Sequence, residues 1–197
     1  MTITEPLPAL TWKLWVYTNY DCNLSCAYCV AESTPMAPRN AIGFDNARRI
    51  VDEAVDLGFS ELFYTGGEPF ILDEIYDMLA YASARLKTTV LTNAMLFNGR
   101  RLARLLDIAN PNLQVQVSLD GGRAEHHDAY RGSGTWNKTV QGIRVLQENG
   151  FNVRLSSTET PANSEHLEEL HAFRRSLGIA AEDIPPICCC DLYPEES

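Results

Sequence analysis

The chain has 197 residues, and 16 Lys and Arg against 26 Asp and Glu give it a formal net charge of −10. This length fits one domain with its own core, and a composition of 45% hydrophobic and 21% charged residues excludes a mainly disordered chain. The acidic balance, without any basic run longer than a pair, argues against nucleic acid as a partner. No segment has the roughly 18 apolar residues of a membrane span, and the start lacks a secretion signal, so we expect a cytoplasmic protein with no membrane partner.

Strands and helices alternate along the chain. The predicted strands cover Leu10–Tyr17, Glu61–Thr65, Thr88–Thr92, Leu113–Leu119, Val153–Thr158 and Asp183–Ile187. Apolar residues at helical spacing predict five connecting helices, which begin near an Asp45 N-cap, at Ile75, at Leu102, before Val140 and at a Ser164 cap. The polar stretch Arg123–Thr135 is predicted to be an irregular functional loop.

Repeated strand, helix and strand units predict a parallel sheet covered by helices in one α/β domain over residues 1–197. A doubly wound open sheet and a partial barrel both fit this pattern. In either architecture the loops that follow the strands meet at one face, where such folds place their sites. The cysteine groups and the other candidate site residues come directly after predicted strands. We therefore expect them to lie together at this face, which we call the mouth of the fold.

Three of the six cysteines, Cys22, Cys26 and Cys29, follow the first strand with the spacing C-x3-C-x2-C. Three thiolates in so short a segment can surround a compact metal centre, but a structural zinc site needs four ligands. An iron–sulfur cluster with one iron left open to a ligand fits three cysteines. A zinc site completed by a distant residue, or buried free thiols, are the alternatives.

The other three cysteines are consecutive, at Cys188, Cys189 and Cys190. Because alternate residues of an extended run point the same way, we expect Cys188 and Cys190 to face the mouth and Cys189 to turn away. The triplet is a candidate for an auxiliary metal cluster or for capture of a thiophilic substrate such as a metalloid. Packing at the edge of the fold is the simpler alternative.

The cysteine spacing, with the aromatic Tyr28 before the third cysteine, resembles the signature of the radical S-adenosylmethionine (SAM) superfamily. Gly66-Gly67-Glu68-Pro69 is similar to the GGEP motif of that family, which holds the amino group of SAM. Ser118-Leu119-Asp120-Gly121, with the later His127-Asp128 and Arg131-Gly132, resembles the branch that includes sulfatase maturases and peptide-modifying SPASM enzymes. The resemblance extends over nearly the whole chain.

The resemblance implies a (β/α)6 partial TIM barrel in which the three cysteines bind a [4Fe-4S] cluster. The cluster would cleave SAM reductively to a 5′-deoxyadenosyl radical, which abstracts hydrogen from a small-molecule or peptide substrate. An electron donor such as flavodoxin or ferredoxin is the implied redox partner. The residues implied to bind SAM are Tyr28, Gly66, Gly67, Glu68, Pro69, Thr92, Asn93, Ser118, Asp120 and Arg131. Among these, Ser118 and Asp120 would approach the ribose and Arg131 the carboxylate of SAM.

Two features depart from the family pattern. The chain ends shortly after Cys190, where the sulfatase-maturase branch continues into a cysteine-rich extension for auxiliary clusters. Six predicted strands but five connecting helices leave the last helix of the barrel missing, so the chain is a fragment or another element covers that edge. Two other functions therefore stay open: a SAM-binding fragment without turnover, and a non-enzymatic thiol-rich protein that binds zinc or a soft metal or metalloid.

Overall fold

A computed structural model describes residues 12–179 and the backbone of residues 188 and 189. The strands are β1 (Lys13–Tyr17), β2 (Glu61–Thr65), β3 (Lys87–Thr92), β4 (Leu113–Ser118), β5 (Val153–Ser156), β6 (Thr158–Glu159) and β7 (Cys188–Cys189). The helices are α1 (Phe44–Asp56), α2 (Ile75–Ser83), α3 (Gly99–Asp107), α4 (Ala124–Arg131), α5 (Thr135–Glu148) and α6 (Leu167–Ser176), with 3₁₀ turns at Pro69–Ile71 and Ser164–His166. Within the described residues, no helix has the length and apolar character needed to cross a membrane.

The strands β1 to β5 form one sheet in sequence order, and every neighbouring pair is parallel. A second sheet pairs β6 with β7, also in parallel. The predicted parallel α/β architecture is therefore confirmed. Since all five strands of the main sheet run the same way, their carboxyl ends and the loops that follow them lie at one edge.

The two faces of the main sheet differ in chemistry because side chains alternate along each strand. One face carries buried apolar residues such as Val16, Leu62, Val115 and Leu155, which form one core with the helices. The other face is aromatic on β1 and β2 and polar on β4 and β5. In one row across this face, register pairs join Trp15, Phe63, Thr89 and Gln114.

The segment Arg123–Thr135 is not an irregular loop, as we predicted, because most of it is the helix α4. Its buried residues are His126, His127 and Arg131, so the buried side of this helix is polar. A search for apolar residues at helical spacing could not detect such a helix.

Other boundaries also differ from prediction. The helix α1 is capped by Gly43, with φ of +76°, and Asp45 lies in its first turn instead of at the N-cap. The predicted fifth strand is divided into β5 and β6 by the buried Ser157. The predicted strand Asp183–Ile187 and any helix after it lie outside the described residues, and the strand that is described there is β7.

Candidate functional site

A cavity of about 330 Å³ opens at the carboxyl ends of the strands. Its lining comes from the loop after β1, from the ends of β2, β3 and β4, and from α4. The predicted site residues in this lining are Cys22, Cys26, Tyr28, Cys29, Gly66, Gly67, Glu68, Thr92, Asn93, Ser118 and Arg131. The topology therefore brings motifs that are separated by more than one hundred residues of sequence to one cavity.

The three cysteines of the first motif are unpaired thiols, each partly buried. Backbone N–H groups of Leu24 and Ser33 lie 3.4 Å from the Sγ atoms of Cys22 and Cys29 and donate to them. N–H donors aimed at sulfur favour its thiolate form, which is the form that binds metals.

The three thiols do not form a ready site for a single ion. In the described part of the chain, the one set of three ligand atoms that all lie within 4.8 Å of one another belongs to His126, His166 and Glu169, so at least one pair of the cysteine sulfurs is farther apart than that. A structural zinc site has four ligands at about 2.0–2.3 Å. One zinc ion would therefore require the thiols to move closer together and a fourth ligand to join them.

Burial changes the acidity of two of these thiols. It raises the pKa of Cys22 to about 12, partly offset by the N–H of Leu24. Burial also raises the pKa of Cys26, against the opposing effect of the Arg131 guanidinium. A buried thiolate needs nearby positive charge, and iron bound at the three sulfurs would supply it.

The Gly-Gly-Glu-Pro motif contacts the cysteine loop through its backbone. The N–H of Gly67 donates to the carbonyl of Asn19 at 2.9 Å, and the N–H of Glu68 donates to the carbonyl of Asp21 at 3.0 Å. A Cβ atom on Gly67 would overlap the carbonyl oxygen of Asp21, the residue before Cys22. This glycine therefore permits close approach of the cysteine loop, a structural role besides any contact with SAM.

We expect Gly67→Ala to lower the iron bound after anaerobic reconstitution several-fold, because the added Cβ pushes the cysteine loop away from β2. Iron and sulfide analysis measures the effect. Gly150→Ala is the control for general destabilisation, since Gly150 has a positive φ, +80°, that strains an alanine, but has open space around it. Equal iron loss in both variants would show that general destabilisation, not the loop contact, is the cause.

The carboxylate of Glu68 is fully buried and joins the ends of β2 and β3. Its Oε1 accepts from the Thr92 hydroxyl at 2.8 Å and its Oε2 accepts from the backbone N–H of Asn93 at 2.9 Å. Burial raises the pKa of Glu68 to about 7, although these bonds oppose the shift. The side chain therefore fixes Thr92 and Asn93 in the cavity wall. Asn93 in turn donates from Nδ2 to Asn23 Oδ1 in the cysteine loop at 2.9 Å.

A buried ion pair joins Asp120, after β4, to Arg131, at the end of α4. Arg131 Nε lies 2.5 Å from Asp120 Oδ2, which also accepts from the Tyr28 hydroxyl at 2.5 Å. The backbone N–H of Thr158 donates to Oδ1 at 2.9 Å. Burial alone would raise the pKa of Asp120, but the Arg131 guanidinium holds it below its usual range.

This placement gives Asp120 a structural role. Its side chain is 1% exposed and is not among the residues that line the cavity, so its contact with the ribose stays a prediction. The side chain orients Arg131 and Tyr28, which do line the cavity. Pro69 also lies away from the cavity lining, as the first residue of a 3₁₀ turn.

His127 supports the same ion pair from α4. Its Nδ1 accepts a hydrogen bond from the backbone N–H of Asp120 at 3.2 Å, so this nitrogen is unprotonated. Burial, together with the nearby Arg131 charge, lowers the pKa of His127 to about 4.

We expect His127 to lower the free energy of unfolding as the pH drops from 6.5 to about 4, because the unfolded chain protonates this residue before the folded chain does. Its contribution is about 1.4 kcal/mol per pH unit inside this window, and the buried Glu68, whose pKa is raised to about 7, contributes with the opposite sign. Denaturant unfolding of the anaerobic protein at several pH values measures it. Relative to wild type, His127→Asn should become more stable as the pH falls through this window, and His171→Asn should follow the wild-type profile. Parallel pH profiles for wild type and His127→Asn would contradict this explanation.

Several polar residues that hold the site escaped the sequence analysis. Asn19 is 1% exposed and donates from Nδ2 to the backbone carbonyls of Asp21 and Glu68. Asp128 accepts from the N–H groups of Gly134 and Trp136 and so fixes the turn between α4 and α5. The one signal for Asp128 is its place in the His-Asp motif, whereas nothing in the sequence marks Asn19. The side chains of Cys188 and Cys189, and all of Cys190, lie outside the described residues, so the roles expected of the triplet stay predictions.

Comparison with known proteins identifies the family. The model of the radical SAM superfamily matches residues 16–177. The chain belongs to the radical SAM superfamily. An AdoMet-dependent heme synthase of Methanosarcina barkeri is 30% identical over 183 residues, which is 92% of this chain and 51% of the relative. The mycofactocin maturase MftC of Mycolicibacterium smegmatis is 32% identical, over 90% of this chain and 48% of the relative.

Solved structures show the fold of this radical SAM protein. SuiB of Streptococcus suis bound to S-adenosylmethionine matches with a TM-score of 0.73 and 23% identity, over 86% of this chain and 39% of SuiB. The protein anSMEcpe with bound AdoMet matches with a TM-score of 0.73 and 17% identity, over 94% of this chain and 53% of that one. The fold is thus the partial TIM barrel of radical SAM proteins. The chain spans about half the length of the curated relatives that it matches.

Proposed function

We propose that the chain is the core domain of a radical SAM enzyme that acts on a peptide or a small molecule. The observation that carries this proposal is the single cavity lined by three partly buried thiols together with the Gly-Gly-Glu segment, Ser118 and Arg131. Cys22, Cys26 and Cys29 would hold a [4Fe-4S] cluster, and the chemistry it supplies when bound is reductive cleavage of SAM to a 5′-deoxyadenosyl radical. Three cysteines beside a cavity support a cluster with one open iron over structural zinc, which needs a fourth protein ligand.

The residues of the chain have distinct parts in this proposal. Arg131 presents a guanidinium in the cavity wall, suited to the carboxylate of SAM, and Asp120 keeps it oriented. Asn93 and Ser118 offer polar groups to the rest of the cofactor. The buried Glu68 acts chiefly by placing Thr92 and Asn93, because its own oxygens accept three hydrogen bonds within the protein.

The substrate would approach along the aromatic and polar face of the sheet, which leads to the cavity. Trp15 and Tyr17 on this face are 51% and 43% exposed, and Tyr17 is part of the cavity lining. Two relatives are named for work on a peptide product or precursor: a subtilosin biosynthesis protein of Bacillus subtilis and SuiB, which is solved with its precursor peptide SuiA. Heme synthases among the relatives keep a small-molecule substrate open.

The implied redox partner is a low-potential donor such as flavodoxin or ferredoxin. A reducing cytoplasm would keep the three cysteines as free thiols until iron is delivered. We place the reaction there for that reason.

The decisive experiment measures iron, sulfide and 5′-deoxyadenosine after anaerobic purification. We expect about four irons with matching sulfide per chain, and release of 5′-deoxyadenosine from SAM when dithionite is added. Zinc without iron would favour the non-enzymatic thiol-rich protein. A full cluster that binds SAM without cleaving it would favour a fragment that has lost turnover.

A further inference from the structure

A second group of metal-binding side chains lies outside the cavity, between α4 and α6. It comprises His126 in α4, His166 in the 3₁₀ turn before α6, and Glu169 in α6. One ligand atom from each of the three residues lies within 4.8 Å of the other two. The radical SAM chemistry proposed above uses none of these residues.

The surroundings of this group leave ligand atoms available. Nδ1 of His126 is buried and has no hydrogen-bond partner in the part of the chain that the structure describes. The imidazoles of His126 and His166 stack with their centroids 4.1 Å apart and their planes 13° from parallel. A metal lies in the plane of each imidazole that binds it. The exposed His166 therefore has to turn out of the stack to share one ion with His126.

Charged side chains lie next to two of the three ligands. Arg123 Nε contacts Oε1 of Glu169 at 2.9 Å, and Glu125 Oε1 lies 3.5 Å from Nε2 of His126. A histidine that binds a metal commonly has a carboxylate on its other ring nitrogen, as His126 has in Glu125. A bound cation would compete with Arg123 for one oxygen of Glu169 and could use the other without displacing Arg123.

We propose that His126, His166 and Glu169 bind one divalent cation of the zinc type, separate from the cysteine site. Two imidazoles and one carboxylate are a donor set that zinc accepts, with water in the fourth position. Zinc to nitrogen distances of about 2.0–2.1 Å bring ligand atoms closer together than the 4.8 Å limit within which these three lie. Rotation of His166, which is exposed, supplies this movement.

The ion would connect α4 to α6. Because α4 ends at Arg131, such a link would hold the part of the cavity wall that contains Arg131 against α6. The proposal does not depend on SAM cleavage, since the cation would act on helix packing and not on the reaction.

Zinc binding to the cluster-loaded protein tests the proposal. Zinc(II) is titrated anaerobically against a chromophoric chelator, and bound zinc and iron are both counted. We expect one zinc per chain with the iron count unchanged. His166→Ala and Glu169→Gln should each weaken zinc binding by at least about tenfold. The matched controls His171→Ala and Glu168→Gln change the same residue types within α6 and should bind zinc as wild type does.

Three outcomes would overturn the proposal. The first is that the protein binds no zinc at about 100 µM free zinc, because such an affinity is too weak for a specific metal site. The second is unchanged zinc binding in His166→Ala, and the third is loss of iron as zinc binds, which would place the zinc on cysteines. Cobalt(II) in place of zinc adds an independent reading, since a thiolate charge-transfer band would likewise assign the ion to cysteine. Far-UV circular dichroism confirms that each variant is folded.

Discussion

Replacement of any one of Cys22, Cys26 and Cys29 by alanine should abolish iron binding and cleavage of SAM. The cluster proposed here has three protein ligands, and among the described residues no other cysteine lines the cavity to replace a lost one. Removing one thiolate leaves a second iron without a protein ligand, and the cluster becomes labile. Iron and sulfide analysis, with the visible absorbance of the anaerobic protein, measures the loss.

Ser25→Ala is the matched control for the cysteine variants. Ser25 lies in the same loop and is exposed, so its hydroxyl can be removed without touching the cavity. It should keep iron and activity at wild-type levels. A cysteine variant that kept full iron and SAM cleavage would remove that residue from the cluster site.

The second large effect is expected at the ion pair of Asp120 and Arg131. Arg131→Met leaves Asp120 as a buried carboxylate without its cation, and loss of one partner of a buried pair costs about 3–5 kcal/mol of the free energy of unfolding. Denaturant unfolding under anaerobic conditions measures this cost. Arg144→Met is the control, because Arg144 is exposed on α5 and should change stability by less than about 0.5 kcal/mol.

Arg131→Lys separates the stabilising role of this residue from its proposed contact with SAM. Lysine keeps the positive charge but lacks the planar guanidinium group, whose several N–H donors can pair with the carboxylates of Asp120 and SAM together. We expect Arg131→Lys to retain more stability than Arg131→Met and still to bind SAM more weakly than wild type in equilibrium dialysis. Wild-type SAM affinity in the lysine variant would restrict Arg131 to its ion pair with Asp120.

The parallel sheet could be predicted because its strands and covering helices are apolar at regular spacing. Hydrophobic period and turn residues place β2, β3 and β4 within one or two residues of their observed bounds. The helix α4 escaped prediction for the opposite physical reason: it buries His127 and Arg131 against Asp120, so the interaction that stabilises it is polar and involves a residue outside the helix.

The site was predictable as a set of motifs but not as a set of contacts. Spacing alone shows that Cys22, Cys26 and Cys29 form one unit, and topology brings Gly67 and Arg131 to the same mouth. Local sequence cannot show that Gly67 supports the cysteine loop or that the carboxylate of Asp120 is enclosed. Both facts depend on atoms that come together only after the sheet has formed.

The contact between the cysteine loop and α4 also sets an order of events during synthesis. Ala27 N–H donates to the carbonyl of Tyr130 at 2.9 Å, and the Tyr28 hydroxyl reaches Asp120 across 92 residues of sequence. A growing chain has made the cysteines long before it has made these partners, and contacts of such long range form late because closing the intervening chain is slow. The cysteine loop therefore reaches its final shape only after residues up to 131 have folded. Iron delivered to the completed domain would meet three prearranged thiols, whereas iron delivered during translation would meet a flexible peptide.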